Sequence, residues 1–100
     1  MNSTQTDLTD TVEKDVIPSL HFPAEDVLSS PIDRALRQRN AERATALGNN
    51  YHGKLDIYFM TNDGNAHRVY TTVWASTTEH LTLKAGTSLP LRAVLGFDFY

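Results

Sequence analysis

The chain has no cysteine, which excludes a disulfide framework and any thiolate metal site. No apolar run approaches the roughly 20 residues that cross a bilayer. The start, Met1-Asn2-Ser3-Thr4-Gln5, lacks the basic and apolar regions of a secretory signal. A cytoplasmic protein with no membrane partner is therefore expected. The five glycines, Gly48, Gly53, Gly64, Gly86 and Gly96, never gather into a phosphate loop. His21, His52, His67 and His80 are scattered without the paired spacing of a zinc site. No Ser, His and acid set surrounds a nucleophile turn, and Glu79-His80 could serve acid–base chemistry only inside a pocket. These absences predict a protein that is not an enzyme and uses neither a metal nor an organic cofactor.

What is present begins with an asymmetry of charge. Residues 1–30 carry Asp7, Asp10, Glu13, Asp15, Glu25 and Asp26 against Lys14 alone, a balance of −5, whereas residues 31–100 hold eight Lys/Arg and six Asp/Glu, a balance of +2. The first thirty residues are also rich in Ser and Thr and are punctuated by Pro18 and Pro23, with Pro31 just beyond. That composition predicts a flexible acidic arm over 1–30 and a folded domain over 31–100. Within the arm, Leu8, Val12 and Val16 recur every four residues up to Pro18, the spacing of a short amphipathic helix that needs a surface to dock on.

A longer helix is predicted from Ile32 to Leu47. Ser30 can cap it, Pro31 suits its first position, Asp33 favours its positive end, and Gly48 marks its stop. Wheel positions gather Ile32, Ala35, Leu36, Ala46 and Leu47 on one face, but Arg39 and Arg43 fall inside that face. Either the arginine stems lie along the edge of the core or the two guanidinium groups meet an anionic partner.

Beyond Asn49 and Asn50 the period becomes alternating. Leu55, Ile57 and Phe59 point one way and Asp56, Tyr58 and Met60 the other. Asn62-Asp63-Gly64 is a hairpin signal, and a three-residue turn with Gly64 left-handed sets Val69 opposite Ile57 and Thr71 opposite Leu55. A long second strand, about His67 to Ala75, must bend to stay on a small core. His80–Lys84 is a third strand and Ala85–Ser88 a tight turn. Leu89-Pro90-Leu91 is an edge strand, because Pro90 cannot donate to a ladder. Arg92-Ala93-Val94 forms a single helical turn before a last strand from Leu95 to Tyr100. The expected fold is mainly β (α+β): an N-terminal helix followed by a five-stranded, strongly bent antiparallel small barrel.

This order of elements over residues 31–100 resembles that of the Sm-like and SH3-like small barrels. Leu47-Gly48-Asn49, Thr71-Thr72-Val73-Trp74-Ala75, Leu81-Thr82-Leu83-Lys84-Ala85-Gly86 and Leu89-Pro90-Leu91-Arg92 are similar to stretches in a group of short bacterial proteins with no assigned activity. The chain departs from the RNA-binding Sm pattern at two places. Ala75–His80 lacks the Asp and Asn that flank an apolar residue where bases are held, and Leu91-Arg92-Ala93 stands where the bacterial RNA chaperones have a Tyr-Lys-His type element. Arg39-x-x-x-Arg43 matches half of the cyclic-dinucleotide motif of PilZ barrels, and the other half, Asp/Asn-x-Ser-x-x-Gly, is absent.

Under the three-residue turn, Tyr58 faces Arg68, Asp56 faces Tyr70, Lys54 faces Thr72, and Trp74 continues the same outer side. With Arg39 and Arg43 these make a candidate binding surface of Arg39, Arg43, Lys54, Tyr58, Arg68, Tyr70 and Trp74, in which aromatic rings alternate with cations. A protein partner or self-association through strand edges is one expectation, on the few charges of Leu89–Leu91 and Leu95–Phe99. Single-stranded RNA or DNA is the alternative.

Overall fold

The computed structural model describes residues 9–100. Helix α1 spans Pro31–Tyr51, and the Ser30 hydroxyl caps it by accepting from the Asp33 N–H at 3.3 Å. The helix does not stop at Gly48. It continues to Tyr51, where His52, left-handed at φ 53°, closes it by donating its N–H to the Gly48 carbonyl at 2.9 Å. The buried residues of α1 are Arg37, Ala41, Ala44 and Gly48, one stripe at helical spacing. Of the expected face only Leu47 packs against the core, since Ile32 is 79% exposed, Leu36 is 51% exposed, and Ala35 and Ala46 are exposed too. Small side chains decide the matter, because they let the helix backbone come close to the strand beneath it.

Seven strands follow the chain: β1 (Asp10–Thr11), β2 (Leu55–Met60), β3 (Ala66–Thr71), β4 (Val73–Ser76), β5 (His80–Leu83), β6 (Ser88–Pro90) and β7 (Val94–Asp98). They form two open sheets and an α+β fold. One sheet has the order β1-β3-β2-β7 and is mixed, because β1 runs parallel to β3. The other is antiparallel, β4-β5-β6. No closed barrel is found among the described residues. The expectation of five antiparallel strands is corrected twice over. The long second strand divides at Thr72, with a further irregularity between Val73 and Ala75, so that its halves belong to different sheets. The N-terminal segment adds β1. Pro90 does lie on an edge strand, and the helical turn before β7 is a 3₁₀ turn at Leu91–Ala93, one residue earlier than expected.

The β2–β3 hairpin has the register of the three-residue turn, Ile57 opposite Val69 and Leu55 opposite Thr71. Thr61 N–H donates to the Asn65 carbonyl at 3.0 Å, and Gly64 is left-handed at φ 88°. Replacing Gly64 with Val is expected to cost about 1 kcal/mol or more, because a β-branched residue is strained there. Val69→Ala should destabilise the fold more than Tyr70→Ala, since Val69 is buried and Tyr70 is 53% exposed. Denaturant melts of the three variants check both expectations.

The inward side chains of β2 (Leu55, Ile57 and Phe59) join Val69, Val73, Leu81, Leu83, Leu89, Leu91 and Val94 in one core. Ile17 belongs to it as well and is completely buried, and Val12, Leu20 and Phe22 of the same segment pack against the core. Over residues 9–30 the chain is therefore docked, contrary to the expected free arm. Leu8 and the rest of residues 1–8 lie outside the described residues. The amphipathic helix expected through Val12 and Val16 is instead a 3₁₀ turn, Lys14–Ser19, which touches β3 of one sheet and β6 of the other. Val16, on the expected apolar face, is exposed. Density of apolar residues is a poor guide here, because one fully buried isoleucine is joined by backbone pairing with β3 and by hydrogen bonds to Asn62 and Arg92.

The loop from Pro23 to Ser30 is fastened by arginines. Arg92 Nε donates to the Pro23 carbonyl at 2.6 Å. Arg37 grips both oxygens of Asp26 at 2.8 and 2.6 Å and also donates to the Val94 carbonyl at 3.0 Å. The hydrogen bonds from Arg37 hold the Asp26 carboxyl below its ordinary value of 3.8, against the opposing effect of partial burial. A lowered folded-state pKa means that the pair's contribution is complete above 3.8 and is lost as pH falls through the lower folded value. Asp26→Asn should accordingly be less stable than the wild type at neutral pH. The gap between the two should narrow in melts taken below about 3.8, and a constant gap would show that the carboxylate charge is not what Arg37 needs.

Candidate functional site

Alternation along β2 sends Asp56, Tyr58 and Met60 to the side of the four-stranded sheet away from the core. Register then brings Tyr70 beside Asp56 and Arg68 beside Tyr58 from β3, Asp98 beside Asp56 from β7, and Thr11 beside Arg68 from β1. Tyr100, just past β7, donates its hydroxyl to Asp56 and sets its ring edge-on to Tyr70 with centroids 5.9 Å apart. Thr11, Asp56, Arg68, Tyr70 and Tyr100 line an open concavity of about 410 Å³.

The electrostatics of this concavity centre on Asp56, a nearly buried carboxylate. It pushes the Tyr100 hydroxyl up to about 12, because a phenolate would lose the hydrogen bond and face the carboxylate charge. Arg68 Nε lies 4.0 Å from Asp56, and both Nε and Nη2 donate to the Thr11 hydroxyl, at 3.2 and 2.8 Å. Its pKa is raised, first by hydrogen bonding with Tyr58 and then by the charge of Asp56. Among the described residues no group of three His, Cys, Asp or Glu is placed to hold a metal ion, and no helix is long and apolar enough to cross a membrane.

Of the seven residues singled out in the sequence, the structure brings together Lys54, Tyr58, Arg68 and Tyr70. Lys54 Nζ lies 5.7 Å from the centre of the Tyr70 ring, within cation–π range. Arg39 and Arg43 are on the exposed side of α1, and Arg43 is occupied within the fold, its guanidinium 3.9 Å above the Phe99 ring. Trp74 is separated by the division of the long strand at Thr72. It belongs to β4 of the other sheet, half-buried and edge-on to the His52 ring at 5.4 Å. Thr11, Asp98 and Tyr100 were not foreseen. No local pattern marks them, since each reaches the site by a strand pairing with a distant segment.

A second surface feature lies at the outer edge of β7. Among the described residues only β2 pairs with this strand, and Arg37 takes the Val94 carbonyl. Between β7 and the first half of α1 runs a groove of about 300 Å³, whose apolar lining is Leu28, Leu36, Leu95 and Phe97. Comparison of the chain with protein-family models, with curated proteins and with solved structures found no match.

Proposed function

We propose that this protein is a non-enzymatic interaction module, an open variant of the Sm-like and SH3-like small barrels, which binds another protein or a second copy of itself by strand addition at β7. The observation that carries this reading is the open edge of β7 beside the groove of Leu28, Leu36, Leu95 and Phe97, with Ile32 and Leu36 exposed on the adjoining helix. A strand edge left unpaired is a hazard for aggregation unless it is covered or used. An added strand would gain backbone hydrogen bonds from β7 and apolar contacts from the groove, the two components of β-augmentation. The kinship with small barrels is supported by the course of the chain, in which two three-stranded antiparallel ladders, β7-β2-β3 and β4-β5-β6, are joined through one bent strand.

Light scattering after size exclusion, over a wide range of concentration, tests the self-association arm. The expected result is an oligomer that Ile32→Glu with Leu36→Glu converts to monomer, both residues being too exposed for the change to unfold the chain. For a foreign partner, a photo-crosslinking residue at position 36 should trap one protein in cells, and the same residue at position 42 on the far side of the helix should not. A wild-type monomer at all concentrations, with no adduct specific to position 36, would exclude the edge as the binding element.

Nucleic acid spread across the outer face of the four-stranded sheet is less well supported. Asp56 and Asp98 stand directly opposite each other there, and Arg68 is already engaged by Thr11 and Asp56. Two carboxylates in the centre of a platform oppose a phosphate backbone.

A further inference from the structure

The chain has only three lysines, Lys14, Lys54 and Lys84, and all three line one concavity. Lys14 opens the 3₁₀ turn of the N-terminal segment, Lys54 precedes β2, and Lys84 follows β5. Lys84 is carried there by its backbone, whose N–H donates to the Thr72 carbonyl at 3.0 Å and ties the β5–β6 turn to the bend after β3. The concavity has a volume of about 180 Å³, and Tyr70, Thr71 and Glu13 complete its lining. Neither Lys54 nor Lys84 has a carboxylate partner among the described residues. Lys14 meets Asp15 at 3.4 Å, but Asp15 is 80% exposed and such a pair is weak. Three lysines and one glutamate leave a local charge of +2 in a hollow with room for phosphate groups alone, the remainder of a larger ligand lying outside it, a place where like charges repel unless an anion sits among them.

Tyr70 is shared between this hollow and the larger concavity that Arg68 and Tyr100 line. Its ring is half exposed and carries Lys54 near one face. A ligand with phosphate among the lysines would therefore have a flat aromatic surface next to it. We infer that this is a nucleotide site, in which Lys14, Lys54 and Lys84 hold the phosphates as point charges and Tyr70 stacks on the base. The inference is independent of strand addition at β7, which uses a different part of the surface.

Isothermal titration at low salt with ADP, with inorganic pyrophosphate and with a short single-stranded oligonucleotide tests it on the full chain. ADP should bind, and binding should weaken steadily as salt is raised, because the phosphate contacts are exposed. Lys54→Ala with Lys84→Ala should abolish binding of both ADP and pyrophosphate. Tyr70→Ala should weaken ADP about tenfold, the effect of losing one stacked base, and leave pyrophosphate unchanged. An oligonucleotide that binds more tightly than ADP would identify the nucleotide as a unit of a strand, and the converse would identify it as free. Failure of all three probes to bind, or binding indifferent to the double lysine variant, would overturn the site. Pyrophosphate binding as tightly as ADP, with no effect of Tyr70→Ala, would overturn the base half of it. Ile32→Glu with Leu36→Glu should leave every one of these affinities as it is, so a failure here is distinct from a failure at β7.

Discussion

Removing residues 1–22 is expected to destabilise the fold by several kcal/mol and to leave a core open along one seam. Ile17 is completely buried, and truncation of a buried isoleucine to alanine alone costs about 2–5 kcal/mol. The deletion would also expose Phe59, against which Phe22 packs with ring centroids 6.0 Å apart. It would free the edge of β3, where Val12 N–H now donates to the Arg68 carbonyl at 2.8 Å. Since small domains have only about 5–15 kcal/mol of stability in total, this loss should be visible as a broad, early transition in a denaturant melt. The point variant Ile17→Ala should reproduce a large share of it, whereas Val16→Ala, at an exposed neighbour, should be close to neutral. An unchanged midpoint for the deletion would mean that the segment rests on the surface without holding the sheets together.

The second large effect is expected at Gly48, where the sign of the change is diagnostic. In an ordinary helix interior, Gly→Ala stabilises by about 0.5–1 kcal/mol, because alanine loses less conformational freedom on folding. At Gly48 a β-carbon would overlap the carbonyl oxygen of Val73 and meet the Thr72 side chain at 3.0 Å. The obstacle is backbone, so no rotamer change relieves it, and α1 would have to lift from β4. Overpacking of this kind costs about 1–3 kcal/mol, occasionally more. Gly48→Ala should therefore melt earlier than the wild type, and Gly48→Val earlier still. A gain in stability for Gly48→Ala would show that the helix is free to move away from the strand.

These two sites also mark where the fold was hidden in the sequence. The β2–β3 hairpin was legible to the residue, because Asn62-Asp63-Gly64 and the alternation on either side of it are local signals that agree with each other. The start of α1 was legible for the same reason, with Ser30, Pro31 and Asp33 each fixing one end group. The inner face of α1 was not, since it is chosen by how closely a backbone can approach, and Ala41, Ala44 and Gly48 are no more apolar than Ala35 and Ala46, which are exposed. A buried Arg37 on that stripe, neutralised by Asp26 from the preceding loop, lies outside any apolar pattern. The candidate surface was half legible. Lys54, Tyr58, Arg68 and Tyr70 follow from hairpin register, while the departure of Trp74 depends on where a long strand breaks and the arrival of Thr11 and Tyr100 on pairings across the chain. The convergence of the lysines could not have been found at all from positions 14, 54 and 84.

The docking of the N-terminal segment also sets a schedule for folding. The segment is synthesised well before its partners: Thr11 meets Arg68 across 57 positions, and Pro23 meets Arg92 across 69. The 3₁₀ turn that carries Ile17 touches both β3 and β6, and the second of these strands ends only at Pro90. While the chain emerges from a ribosome, Phe22 can meet Phe59 once β2 exists, but the turn that carries Ile17 lacks one of its two neighbouring strands until β6 follows. Contacts of such long sequence separation require loop closure before they give any return, which slows folding. The nascent chain must therefore carry Ile17 unburied until β6 is released, and that interval is when this small domain is most open to aggregation and to capture by chaperones.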